Sequence, residues 1–183
     1  MSRTLLTAAL LLATTALAGG GWTTYRGDGF SIDIPPGWRA NPKFEDDGYG
    51  FYQGFQDDRL FGAAFTPLTD PQPSSNLREP NPTLAVERLP PASRCSADAF
   101  IVDAAPDSFT AEPTSTANFA RTVAEPGDLY GEEQQVFVVR TRPCVAVHLY
   151  IAYAQRSVKP ERAYDRAALF GTFERMRRSV RIP

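Results

Sequence analysis

The run Val145-Ala-Val-His-Leu-Tyr-Ile-Ala-Tyr153 decides the architecture. It carries no Asp, Glu, Lys or Arg and is rich in β-branched and aromatic residues, the composition of a strand. Val145, Val147, Leu149, Ile151 and Tyr153 point one way; Ala146, His148, Tyr150 and Ala152 point the other. Both rows can be covered, so a central strand is expected rather than an edge. Val136 to Val139 is a second continuous apolar run, with Pro143 between the two.

Working outward, Trp22–Arg26 and Phe30–Ile34 flank Gly27-Asp28-Gly29, which reads as a hairpin around a short turn. Phe30, Ile32 and Ile34 alternate with Ser31 and Asp33, the pattern of a half-buried strand. Pro35-Pro36-Gly37 ends it, because proline cannot donate to a ladder, and Trp38 is expected to fold back onto the core. A second hairpin should follow. Tyr49, Phe51, Gln53 and Phe55 share one face of its first arm, Asp57-Asp58 makes the turn, and Leu60–Thr66 returns. Glycines beside Tyr52 leave room for a ring to lie across the backbone.

Pro67 to Pro82 is proline-rich and reads as a long loop, either functional or a plain surface excursion. Thr83–Asn118 leaves two readings open: a short strand at Phe100-Ile101-Val102, or a helical turn capped by Ser96 or Asp98. The chain then ends in a helix. Asp165 is the expected N-cap, and Tyr164 and Leu169 are placed as a hydrophobic staple. Leu169, Phe173, Met176 and Val180 form one apolar stripe. Arg175, Arg177 and Arg178 sit where positive charge offsets the helix dipole, or form a partner-binding patch. The fold class expected is α+β, an antiparallel sheet with a C-terminal helix packed on one face.

The N-terminus supplies an address. Arg3 is followed by an apolar run, Leu5 to Ala13, broken by Thr7, and then by Ala16-Leu17-Ala18. This is the grammar of an export signal cleaved after Ala18, leaving residues 19–183 as one exported domain. The apolar run is well short of the ~20 residues that span a bilayer, so no stable membrane anchor is expected after cleavage. No cysteine sits near the cleavage point to take a lipid. A periplasmic or secreted location follows. The two cysteines, Cys95 and Cys144, are then expected to form a disulfide, stabilising the fold by roughly 4 kcal/mol.

Composition narrows the function classes. The net charge is −2, which gives no attraction to phosphate backbones and makes nucleic acid an unsuitable partner. His148 is the single histidine, and no G-x-S-x-G turn accompanies it. Cys144 and His148 would lie ~13 Å apart along a strand, beyond hydrogen-bond reach. His148 therefore reads as a packed or half-exposed strand residue, and no catalytic residue is assigned. One histidine does not make a multi-histidine zinc site. Glu45-Asp46-Asp47, Asp57-Asp58 and Glu132-Glu133 lack the spacing of a calcium loop. No metal or cofactor is expected. The aromatic rings from Phe44 to Phe65 either build a hairpin core or, where exposed, offer Tyr49, Tyr52 and Phe55 as candidate partner contacts.

The phrase Asp28-Gly-Phe-Ser-Ile-Asp-Ile-Pro-Pro-Gly-Trp38 resembles the opening of the PsbP/Mog1-like superfamily, and the ending Phe170–Ile182 is similar to that family's closing helix and tail. The resemblance covers the two ends, about a fifth of the chain. It implies an antiparallel sheet flanked by helices and a family of binding and accessory proteins with no shared catalytic residue. Fold does not fix function, so the individual roles of relatives do not transfer. The expectation is an exported non-enzymatic binding or accessory protein whose partner is another envelope protein. The alternative is a small secreted hydrolase or carbohydrate-active protein using carboxylates.

Overall fold

A computed structural model describes residues 21–27, 29–41, 60–78, 82–89, 94–101, 115–125, 128–155 and 162–183. The expected export segment 1–18 and the candidate contacts Tyr49, Tyr52 and Phe55 lie outside the described residues. Among the described residues eight strands and one α-helix follow in order: β1 (Thr23–Gly27), β2 (Phe30–Ile34), β3 (Trp38–Asn41), β4 (Leu60–Pro67), β5 (Thr83–Arg88), β6 (Thr116–Glu125), β7 (Asp128–Thr141), β8 (Cys144–Ala154) and α1 (Arg166–Ser179).

The Val145–Tyr153 run is central. β8 is hydrogen-bonded to β5 on one side and to β7 on the other, within a six-stranded sheet ordered β3-β4-β5-β8-β7-β6. Every described pairing in it is antiparallel. β1 and β2 form the expected N-terminal hairpin, with Gly27 opposite Phe30. Gly29 sits at φ +75° in its turn, a left-handed conformation that costs glycine little.

α1 and β2 pack on one face of the sheet, giving the α+β architecture. Phe30, Ile32 and Ile34 from β2 meet Phe65, Leu84, Val86, Val145, Val147, Leu149 and Ile151 from the sheet and Leu169, Phe173 and Met176 from α1 in one core. Trp38 packs against this core, its ring edge-on to Phe173 at 6.0 Å. The Asp165 side chain accepts from the Ala168 N–H at 3.0 Å and so caps α1. Ser31 and Arg181 exchange backbone bonds of 2.9 Å, tying the chain end to β2.

Three segments were not read from the sequence in this form. Thr83–Arg88 is a strand with a buried glutamate in it, and Thr116–Glu125 is a ten-residue strand beside β7. Between them, Ala97–Phe100 forms a single 3-10 turn; Ser96 occupies its N-cap position without a side-chain bond. The helical-turn alternative holds there, and Phe100 is not in a strand. Residues 67–78 of the proline-rich stretch are strapped down. Ser75 bridges Arg162 and Leu77 bridges Tyr153, and the Asn76 side chain donates to Ala154 O and accepts from Tyr164 N, both at 2.8 Å.

Cys95 and Cys144 are joined in a disulfide. It fixes the first residue of β8 to the segment leading into the 3-10 turn. Leu89, Phe100, Ile101, Ala117, Val136 and Ala146 pack with it in a second, smaller core on the opposite sheet face.

Candidate functional site

The two faces of the sheet differ in chemistry. On the face away from α1, β8 presents Ala146, His148, Tyr150 and Ala152, all buried. Their neighbours across the strands are Thr83, Ala85 and Glu87 from β5 and Glu132, Gln134 and Val136 from β7. His148 is 2% exposed and Glu87 0%. His148 Nδ1 lies 3.0 Å from Glu87 Oε1, and Nε2 lies 3.0 Å from Gln134 Oε1. Which ring nitrogen donates depends on the His148 tautomer: a carboxylate only accepts, and the Gln134 amide can present oxygen or NH2 to Nε2. Tyr150 donates to Glu132 Oε1 at 2.8 Å. These are diagonal cross-strand pairs. Sequence reasoning placed His148 in a strand, packed or half-exposed; the structure decides for packed and adds partners that the sequence did not show.

Glu87 and Glu132 are the buried carboxylates among the described residues. They do not make a hydrolytic pair. Glu87 pairs with Ala146 and Glu132 with Ala152 on opposite sides of β8. At ~3.3 Å per residue and ~4.8 Å per strand, their α-carbons lie roughly 22 Å apart. Side chains reaching toward each other leave about 12 Å or more, beyond the ~9.5 Å upper limit for glycoside hydrolysis. Among the described residues no group of three or more metal-ligating side chains gathers.

The α1 face holds the concave feature. A half-open cleft of about 170 Å³ lies between α1 and the sheet. Leu84, Val147 and Leu149 form its floor, and Gln135 and Phe137 from β7 form one wall. Phe170, Phe173, Glu174 and Arg177 form the other. These helix positions follow a spacing of three, one and three, so they share a stripe beside the Leu169–Phe173–Met176 stripe that enters the core. Phe137 belongs to the Val136–Val139 run, but nothing in the sequence says that the helix stops short of covering it.

The charges at this rim are organised. Arg177 Nε and Nη2 grip the two Glu174 oxygens, each at 2.7 Å, a bidentate fork. Arg178 also donates to Glu174. The Arg177 hydrogen bond, with lesser help from Arg178, holds the Glu174 carboxyl down to about 2, against the opposing effect of burial. Arg177 also lies 4.7 Å over the Phe137 ring, and Arg175 lies 3.8 Å over Trp22. Those arginines are thus engaged in specific contacts beyond offsetting the helix dipole. At the other end of α1, Tyr164 donates to Glu133 at 2.6 Å and Arg166 at 2.8 Å. Burial, and then the Glu133 bond, push the Tyr164 phenol up.

No family model matches this sequence, and no curated protein does. Among solved structures the chain is similar to LpqN, described as involved in cell envelope biogenesis of Mycobacterium tuberculosis. The identity is 13%, the match covers 90% of this chain and 86% of that one, and the TM-score is 0.42. At that distance the likeness carries no functional argument.

Proposed function

We propose that this chain is an exported, non-enzymatic binding or accessory protein of the cell envelope or secreted space. The observation that carries this reading is the α1–sheet cleft. It is apolar at its floor and its rim carboxylate is occupied by two arginines. That arrangement suits holding a guest rather than moving a proton, since no acid or base is aimed into the floor. The Cys95–Cys144 bridge supports an oxidising, extracytoplasmic compartment. The opening phrase Asp28–Trp38, the antiparallel sheet and the closing helix support a place beside the PsbP/Mog1-like domains.

Site-specific photo-crosslinking in the exporting cell tests this. A photoreactive residue replacing Gln135, at the cleft, is expected to capture one discrete envelope component. The same residue replacing Leu68, which is 63% exposed, should not. Equal labelling from both positions, or none from Gln135, overturns the reading.

A further inference from the structure

We infer that the cleft binds a single-chain amphiphile with an anionic head, its tail on the cleft floor and its head at Arg177. This deepens the reading of the cleft as a binding site and rests on it.

The size sets the tail. The cleft measures about 170 Å³, close to engineered apolar cavities of ~150 Å³ that take a benzene-sized guest. Roughly six carbons fit the enclosed part, and the open mouth lets a longer chain continue. The sides met by that chain are Leu84, Val147, Leu149, Phe137 and Phe170. None offers a hydrogen bond, so a polar chain would lose its hydration there without replacement.

The rim sets the head. One carboxylate, Glu174, faces two guanidinium groups, Arg177 and Arg178, which leaves the rim positive. Glu174 engages Nε and Nη2 of Arg177. Among the described residues, the remaining nitrogen, Nη1, and the Gln135 side-chain amide make no hydrogen bond. Unused donors beside an acceptor already gripped by two arginines favour an incoming anion. A cationic amphiphile would be repelled, and a wholly apolar guest would leave these donors unmet.

The test titrates octanoate, butanoate and 1-octanol into the purified protein, read by calorimetry and tryptophan fluorescence. Trp38 packs on Phe173 at the cleft wall and should report occupancy. Octanoate is expected to bind saturably. Butanoate should bind at least tenfold more weakly, because each buried methylene is worth about fourfold. Octanol should bind several-fold more weakly than octanoate. Arg177→Gln should bring octanoate down to the level of octanol and leave octanol unchanged. Val147→Phe, which fills the floor, should abolish both. Arg177 is partly exposed at the rim and not in the core, so its variant reports even if Val147→Phe does not fold. Three results overturn the inference: no saturable octanoate binding, equal binding of octanoate and octanol, or indifference of octanoate to Arg177→Gln. Octanoate binding without an envelope cross-link would keep the amphiphile site and remove the accessory role. A cross-link without octanoate binding would do the reverse.

Discussion

Removing the Cys95–Cys144 bridge is expected to cost about 4 kcal/mol. The two residues are 49 apart in sequence. In the chain-entropy model a loop of that length withholds roughly 14 cal/mol/K from the unfolded ensemble, or about 4 kcal/mol at 25 °C. Cys144 is 5% exposed and packs with Phe100, Val136 and Ala146, so a C95A/C144A variant adds a small packing loss on top. For a chain of this size, 1 kcal/mol moves Tm by about 2–4 °C, which puts the expected drop near 8–16 °C. Guanidinium denaturation of the oxidised protein and the double variant measures the difference. The variant's m-value should also rise, because its unfolded chain exposes more surface. Amide exchange across Ala97–Ile101 separates two mechanisms. If the bridge acts on the unfolded state, these amides stay protected in the variant. Fast exchange confined to that segment, with global stability unchanged, would make the bridge a local clip and refute the entropy argument. Two free thiols in the denatured, non-reduced protein would remove the premise.

Three further outcomes follow from named contacts. His148→Leu takes a hydrogen-bonding partner from Glu87 in a site with 0% exposure. It should destabilise by about 2–4 kcal/mol, and His148→Leu with Glu87→Leu should recover about half of that in a double-mutant cycle; no recovery counts against their direct coupling. Asn76→Ala loses bonds to Ala154 O and Tyr164 N and should cost about 1–3 kcal/mol, with faster amide exchange at Asn76 and Tyr164. Glu174 has a folded pKa of about 2, against an ordinary 4.5. Its contribution is present above about pH 4.5 and is lost as pH falls through about 2. The group is over a third exposed, so screening limits the effect to roughly 1 kcal/mol or less. Urea titrations between pH 2 and 6 should show that Glu174→Gln flattens this slope.

Local rules were enough for some elements. The Gly27-Asp28-Gly29 hairpin, the Asp165 cap and the Leu169–Phe173–Met176 stripe are each specified by residues within one or two turns of one another. β8 was legible because both its rows are apolar or small, apart from His148. β5 was not, because Glu87 interrupts its alternation, and one partner that accommodates the glutamate, His148, is 61 residues away. β7 was visible only as Val136–Val139. Its first half, with Glu132, Glu133, Gln134 and Gln135, reads as solvent-facing. Yet Glu132 and Gln134 are buried against Tyr150 and His148. A ring lies across a glycine at a place the sequence reading did not single out: Tyr153 covers Gly131, its cross-strand partner, where any Cβ would overlap the ring.

By itself, the sequence determined the fold class, the central strand, the terminal helix and its cap, because these depend on period, turn chemistry and capping over short distances. It also carries, ahead of two cysteines, an N-terminal apolar run that reads as an export signal. Only the tertiary structure decided the strand order, the polar row behind β8 and the cleft beneath α1. Strand order is set by which distant segments bury one another, and a cleft is the space left where a helix and a sheet fail to meet. Neither is a property of any one stretch of chain. A sequence pattern can mark Phe137 and Phe170 as apolar. Only packing decides whether they touch each other or leave room for a guest.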